Sequence, residues 1–228
     1  MGKEDIHSRI QDLAETAPVT GAFPQIYESL FKLPENYQGI KILDICGGVS
    51  SFSEWVNQNG GIPQAIDFNY AFLGTLIDNY KDTFKNVMDQ DPNPNLEDYQ
   101  KGFEMRLTPF ALSLDQHPSI YIAASATHLP FKDNYYDYVV SLNGIFGTLD
   151  EDPDILKMAL NEAIRVVKKG GTVQLAPTGE YPTLSPQETR NQSRTITELQ
   201  QNRQIKISYE KRVFKDRMSG VLTLTKKK

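Results

Sequence analysis

Along the 228 residues, short continuous apolar runs alternate with stretches whose apolar positions return at helical spacing. Ile40, Ile42, Leu43 and Ile45 form a nearly unbroken run, the mark of a strand buried on both faces. It breaks at Cys46-Gly47-Gly48, where small residues allow a sharp turn and close approach of a ligand to the backbone. Phe52, Trp55 and Val56 then predict a helix over 52–59, ended by Gly60-Gly61. A second strand is expected at 62–68, with Asp67 near its end, followed by a helix over 71–88. Asp91-Pro92-Asn93-Pro94-Asn95 reads as a turn, and 96–114 as a further helix despite Pro109. Strands follow at 119–124 and 136–142, the latter aromatic and β-branched. Ile155, Leu156, Ala159, Leu160, Ala163, Ile164 and Val167 predict an amphipathic helix over 154–167. Asp150, Glu151 and Asp152 favour its N-terminus, and Lys168-Lys169-Gly170-Gly171 is read as its C-terminal cap. A strand at 172–176, a polar helix at 186–202 and an antiparallel pair at 205–214 and 220–225 complete the pattern.

This order predicts an α/β fold with a largely parallel sheet flanked by helices. Ligands of such sheets sit beyond the carboxyl ends of the strands, at the switch in strand order. A strand, a glycine turn and a helix N-terminus at 40–56 therefore form a ready-made site for a nucleotide-like ligand.

Composition narrows the function. Apolar residues are 39% and charged residues 23%, ordinary for a soluble globular chain. The net charge of −5 argues against nucleic acid as a partner, since that needs a basic face. The basic stretch 211–228 is read as a solvated, frayed terminus. One cysteine rules out an intrachain disulfide and a multi-cysteine metal site, and fits a reducing, cytoplasmic compartment. His7, His117 and His128 show no metal-ligand spacing, so no metal is expected. The N-terminus lacks the apolar core of a signal peptide, and no apolar run is long enough to span a membrane.

Four segments in order resemble the class I S-adenosylmethionine-dependent methyltransferases. Ile42 to Phe52 is similar to the family's first motif, an acid leading into a glycine-rich turn. Ala65-Ile66-Asp67 is similar to its second strand, which ends in an acid about 20 residues beyond the turn. Ser125 to Asp137, with Leu129-Pro130-Phe131 inside it, resembles the run before the fourth strand. Asn161 to Gly171 resembles the helix and double glycine that enter the fifth strand. A nicotinamide dehydrogenase would share the acid spacing, but would more usually carry a three-glycine fingerprint. Here Cys46 and Ser50 replace the first and third of the family's alternating glycines, leaving Gly48, and Ser125 stands where an aspartate is frequent.

The resemblance implies a Rossmann-like three-layer sandwich with a mostly parallel seven-stranded sheet and a C-terminal antiparallel hairpin. It implies S-adenosylmethionine as cofactor, S-adenosylhomocysteine as product and in-line methyl transfer to a small-molecule acceptor. The alternative is a non-catalytic cofactor-binding or partner protein with a degenerate fold. On the family's pattern, Asp44, Cys46, Gly47, Gly48, Asp67, Phe68, Ser125, Ala126, Thr127, Ser141 and Leu142 are expected at the cofactor. Asn143, Phe146 and Tyr27 are expected at the acceptor, with Phe23 and Tyr181 as further walls. Asn143 and His128 are the catalytic candidates, although an amide has no useful pKa for taking a proton. Residues 1–38 are expected to form a helical lid and 39–228 the methyltransferase domain, with a helical insertion near 90–117 that covers the pocket or mediates a homodimer.

Overall fold

The computed structural model describes residues 22–89, 96–178, 185–214 and 217–228. The readings of 1–21, of the turn at 91–95 and of Tyr181 lie outside these residues. The elements run α1 (Pro24–Leu30), β1 (Lys41–Ile45), α2 (Phe52–Gln58), β2 (Ile62–Asp67), α3 (Leu73–Asp89), α4 (Leu96–Gln116), β3 (Tyr121–Ala123) and β4 (Tyr136–Leu142). They continue as α5 (Pro153–Val166), β5 (Val167–Thr178), α6 (Pro186–Gln200), β6 (Ile205–Phe214) and β7 (Arg217–Lys226).

The seven strands form one sheet in the order β3-β2-β1-β4-β5-β7-β6. Strands β1 to β5 pair in parallel, and β7 pairs antiparallel with both β5 and β6. Strand order reverses between β1 and β4, which puts the ligand-binding crevice at their carboxyl ends. The period-2 alternation of the strands separates two apolar layers. Leu43, Ile45, Ile66 and Val139 pack with Ile155, Leu156, Leu160 and Leu199 of α5 and α6. Ile42, Val140 and Leu142 pack with Tyr27 and Phe52, whereas Ala65 joins Tyr70, Tyr80 and Phe110. The helices α1 to α4 thus cover the face towards which Asp44 and Asp67 alternate.

Several boundaries differ from those the pattern predicts. Residues 68–72 form a 3-10 turn before α3, because the Asp67 carboxylate accepts from the Asn69 amide and starts a tighter helix. The double glycine is no helix cap: the chain turns extended at the β-branched Val167, and Gly170 (φ +84) lies inside β5. The Lys226 ammonium closes α5 instead, donating to the carbonyls of Ile164 (2.9 Å), Arg165 (3.2 Å) and Val167 (3.1 Å). The described residues of the basic C-terminus are accordingly paired within β6 and β7 up to Lys226, not a frayed tail. Asp152 caps the other end of α5, accepting from Asp154 (2.9 Å) and Ile155 (3.2 Å). The long connection between β2 and β3 holds two helices. Its second, α4, packs on the sheet layer through Phe110 and contributes Ser113, whose hydroxyl donates to the buried Glu54 of α2 (2.6 Å). No helix among the described residues is long and apolar enough to cross a membrane.

Candidate active site

The turn after β1 is held by groups from β2 and from the 3-10 turn that follows it. The Gly47 amide donates to the Ile66 carbonyl (3.1 Å) and the Gly48 amide to Asp67 Oδ2 (3.1 Å). The Tyr70 hydroxyl donates to the Gly48 carbonyl at 2.8 Å. A Cβ at Gly47 would stand 3.1 Å from that hydroxyl, 3.3 Å from Ala65 Cβ and 3.3 Å from Asp44 Oδ2, so the cradle suits only glycine without adjustment. The two departures from the family's glycine pattern have distinct outcomes. Cys46 adopts the left-handed conformation (φ 58) that a glycine would take without strain. Ser50 turns its hydroxyl inward, donating to the Ala22 carbonyl (3.2 Å) and accepting from the Phe52 amide (3.1 Å) at the entry to α2.

Asp44 is 1% exposed, and its Oδ2 accepts from the Tyr27 hydroxyl of α1 at 2.9 Å. Its Oδ1 is buried with no hydrogen-bond partner. Burial pushes this carboxyl up from 3.8 to about 8; the Tyr27 bond opposes the shift, and the charge of Asp67 adds to it. Asp67 is raised as well, by burial, against the amides of Asn69 and Gly48. Each of its oxygens keeps an acceptor position beyond the one its amide takes. Burial first, then Asp67 and Asp44, raises the Cys46 thiol well above its ordinary range, which disfavours the thiolate. The crevice is thus hostile to further negative charge and receptive to a cation.

The other sequence-predicted residues divide sharply. Phe68 is half-buried beside the acid of β2. Ser125 and Thr127 share a hydrogen bond of 2.8 Å between their hydroxyls, and the Thr127 amide donates to Ser125 Oγ (3.2 Å). Ala126 and Thr127 are buried, and His128 is exposed. Ser141 is fully buried; its hydroxyl donates to the Ile45 carbonyl (2.9 Å) and accepts from the Ile145 amide (2.9 Å), joining β4 to β1. Leu142 and Phe146 lie in the two core layers, Phe146 with Ile145 and Leu149. Tyr27 is 1% exposed and stacks flat on Phe52 at 4.1 Å, so its hydroxyl serves Asp44 instead of an open acceptor pocket. Asn143 is half-buried at the carboxyl end of β4 in a left-handed conformation (φ 58), its amide donating to the Ala176 carbonyl at 2.8 Å. Beside it Gly144 admits no side chain: a Cβ there would stand 2.3 Å from Cys46 Cβ.

Sequence reasoning missed Tyr70. Tyr70 follows Asp67 by three residues, a spacing that a 3-10 turn would have made legible.

No curated relative matches the chain at a significant level. The fold is similar to that of the PH0226 protein from Pyrococcus horikoshii OT3, at 18% identity and a TM-score of 0.50, over 99% of this chain and 93% of that one. It is also similar to TrmN from Thermus thermophilus, at 18% identity and a TM-score of 0.51, over 96% of this chain and 52% of that one. Magnesium protoporphyrin IX methyltransferase from Synechocystis PCC 6803, solved with bound SAM, aligns at 11% identity and a TM-score of 0.49, over 98% of this chain and 78% of that one. The methyltransferase domain family matches residues 43–175, from within β1 to within β5, a span that includes the glycine turn, Asp44, Asp67, Ser125 to Thr127 and Asn143. With its seven-stranded sheet and this match, the chain belongs to the methyltransferase domain family of S-adenosylmethionine-dependent class I enzymes.

Proposed function

We propose that this enzyme methylates a small-molecule acceptor, with its cofactor held across the carboxyl ends of β1, β2 and β4. The carrying observation is the buried, partnerless Oδ1 of Asp44 beneath the Gly47 cradle. A buried acid lacking a donor is stabilised by a ligand that brings one, and a cationic donor also reverses the repulsion from Asp67. The amino group of S-adenosylmethionine meets both requirements. Asp67 takes the ribose hydroxyls through the acceptor positions its amide partners leave open, and Ser125 to Thr127 lie along the adenine. The sulfonium supplies an electrophilic methyl, so the chain's task is alignment and exclusion of water.

The acceptor side rests on Asn143, whose backbone is anchored at both ends: its carbonyl also accepts from Thr148 Oγ1 (3.1 Å). Its carboxamide orients an acceptor by hydrogen bonds and takes no proton. A closed cover of α1 over Asp44 and an acidic chain of net charge −5 favour a small acceptor over a nucleic acid.

Calorimetric titration with S-adenosylhomocysteine tests this reading. We expect binding to the wild type and a loss of at least about tenfold in Asp67→Ala, as for hydrogen bonds to a charged group. A wild type that binds neither the cofactor nor its product would overturn it. Incubating the enzyme with S-adenosylmethionine and a metabolite panel, and following S-adenosylhomocysteine release, then identifies the acceptor.

A further inference from the structure

The amino ends of the parallel strands gather basic residues to which the cofactor crevice gives no role. Lys41 opens β1, Lys132 precedes β4, and Lys168 and Lys169 lie at the start of β5. Because β7 runs antiparallel to β5, residues 226–228 reach the same edge. Contacts join these residues into one surface. Lys41 and Lys132 both lie over the Tyr135 ring, 4.0 and 5.0 Å from its centroid. Asp137 accepts from the Lys41 amide (2.9 Å) and from Lys168 Nζ (2.7 Å). The Arg165 carbonyl accepts from the Asn134 amide (3.0 Å) and from Lys226 Nζ (3.2 Å). Burial lowers the Lys226 ammonium, Asp133 opposes the shift, and the nearby charges of Lys169 and Arg165 add to it. Lys228 runs past Gly170, where a Cβ would stand 3.4 Å from Lys228 Cε.

In a chain of net charge −5 this surface is basic. Its acids Asp133, Asp137 and Glu162 are paired with Arg165 and Lys168. Lys132, Lys169, Lys227 and Lys228 are exposed, and none of them forms an ion pair among the described residues. Ile62, aligned with Lys41 on the neighbouring strand, is 47% exposed at the same edge.

We infer that this edge is a docking surface for an anionic lipid bilayer, with the lysines among the phosphate headgroups and Ile62 against the acyl boundary. A cluster of about four to eight cations is the size that holds a protein to an acidic leaflet. Lysine suits it, as a compact point charge that needs no fixed phosphate geometry, and an apolar contact adds to the electrostatic attraction. Nucleic acid fits less well, since base edges are read chiefly by arginine and bases stack on open aromatic rings. Here Arg165 is turned to Glu162, Asp133 and two carbonyls, and the Tyr135 ring carries ammonium groups. Docking by the amino edge leaves the carboxyl ends of β1, β2 and β4 facing solution, so the inference stands independently of what the crevice binds.

Cosedimentation with vesicles tests it. The wild type should bind vesicles that mix phosphatidylglycerol with phosphatidylcholine, bind pure phosphatidylcholine at least about tenfold more weakly, and be released by about 0.5 M salt. Each lysine at an acidic leaflet contributes about fivefold, so Lys169→Gln, Lys227→Gln and Lys228→Gln combined should weaken binding by about a hundredfold. Ile62→Ser should weaken it a few-fold. Both variants change exposed side chains and should keep the wild-type midpoint of thermal unfolding. The comparison of the two vesicle types needs no variant at all. Equal binding to both types overturns the inference, as does a loss below about threefold in the triple variant. Tighter binding to a duplex oligonucleotide than to the anionic vesicles assigns the surface to nucleic acid and overturns it as well.

Discussion

At the amino edge of the sheet, Arg165 donates to both oxygens of Glu162 (2.7 and 2.8 Å) and to the Leu129 and Phe131 carbonyls (3.0 and 2.7 Å). Glu162 also accepts from the Leu129 amide at 2.7 Å, and Asp133 beyond the loop pairs with Arg165 at 2.8 Å, so α5 grips the Leu129-Pro130-Phe131 loop through two ion pairs that share Arg165. Nearby, Asp137 accepts from the Lys41 amide (2.9 Å) and from Lys168 Nζ (2.7 Å). At the carboxyl edge Asp44 has one tyrosine and an orphaned oxygen. The pKa shifts follow: the bond to Arg165 holds Glu162 below its ordinary value, and burial lifts Asp44. One edge spends these charges on the fold, and the other leaves a buried carboxylate oxygen without a partner. Charged residues with satisfied partners mark scaffold, even within segments that identify the family.

The sharpest contrast comes from one glycine at each edge. A Cβ at Gly144 would lie 2.3 Å from Cys46 Cβ and 3.1 Å from the Ile45 carbonyl. One at Gly171 would lie 2.6 Å from the Asp137 carbonyl and 2.9 Å from Val167 Cγ2. Both alanine substitutions should destabilise by about 1–3 kcal/mol in urea unfolding. Only Gly144→Ala should also weaken S-adenosylhomocysteine binding in calorimetry, because it displaces the turn. Equal effects on binding would erase the distinction between the edges.

Arg165→Ala should lower stability by about 2 kcal/mol, the loss of several charge-assisted hydrogen bonds from a partly exposed site, with ligand affinity unchanged. Tyr70→Phe should do the reverse: about 1 kcal/mol of stability and a few-fold weaker ligand binding, since one buried hydrogen bond to the turn is lost. Loss of affinity in Arg165→Ala, or none in Tyr70→Phe, counts against this division.

The pH dependence separates the edges by sign. Asp44 titrates higher in the folded chain than in the unfolded one, so its contribution is whole below its ordinary 3.8 and declines as pH rises towards about 8. Glu162 is lowered, so its contribution is present above its ordinary 4.5 and lost as pH falls through the lower folded value. Asp44→Asn should therefore flatten the decline of the ligand-free protein as pH rises from 3.8 towards about 8 and leave the loss linked to Glu162 in place, as read from denaturation midpoints across pH. The smallest effect belongs to His128→Ala: this side chain is exposed, and stability should move by less than about 0.5 kcal/mol.

Much of this was legible in the chain. The apolar runs and their helical counterparts place every strand of the sheet, since burial on two faces requires continuous apolar residues and a one-sided helix requires period 3.6. Asp44, Gly47, Gly48 and Asp67 stand at strand ends where local sequence alone puts them. Tyr27, Ser141 and Phe146 were a different matter. Their neighbours in sequence say nothing of whether a hydroxyl or ring faces the crevice or the core, and the packing of distant elements turned all three inward. The double glycine misled for a similar reason: its residue types suit a helix cap, and Lys226, 62 residues beyond Ile164, took the carbonyls instead.

The sequence by itself determined the order of elements, the family and the acids at the ends of β1 and β2. Those features depend on residues close along the chain, where pattern and geometry are coupled. Only the tertiary structure decided which charges are satisfied. Whether Glu162 finds Arg165 and whether Asp44 keeps an orphaned oxygen depend on groups far apart in sequence, brought together when the layers close. Hydrogen bonding is short-ranged and directional, so its completeness is a property of that closure and not of any local pattern.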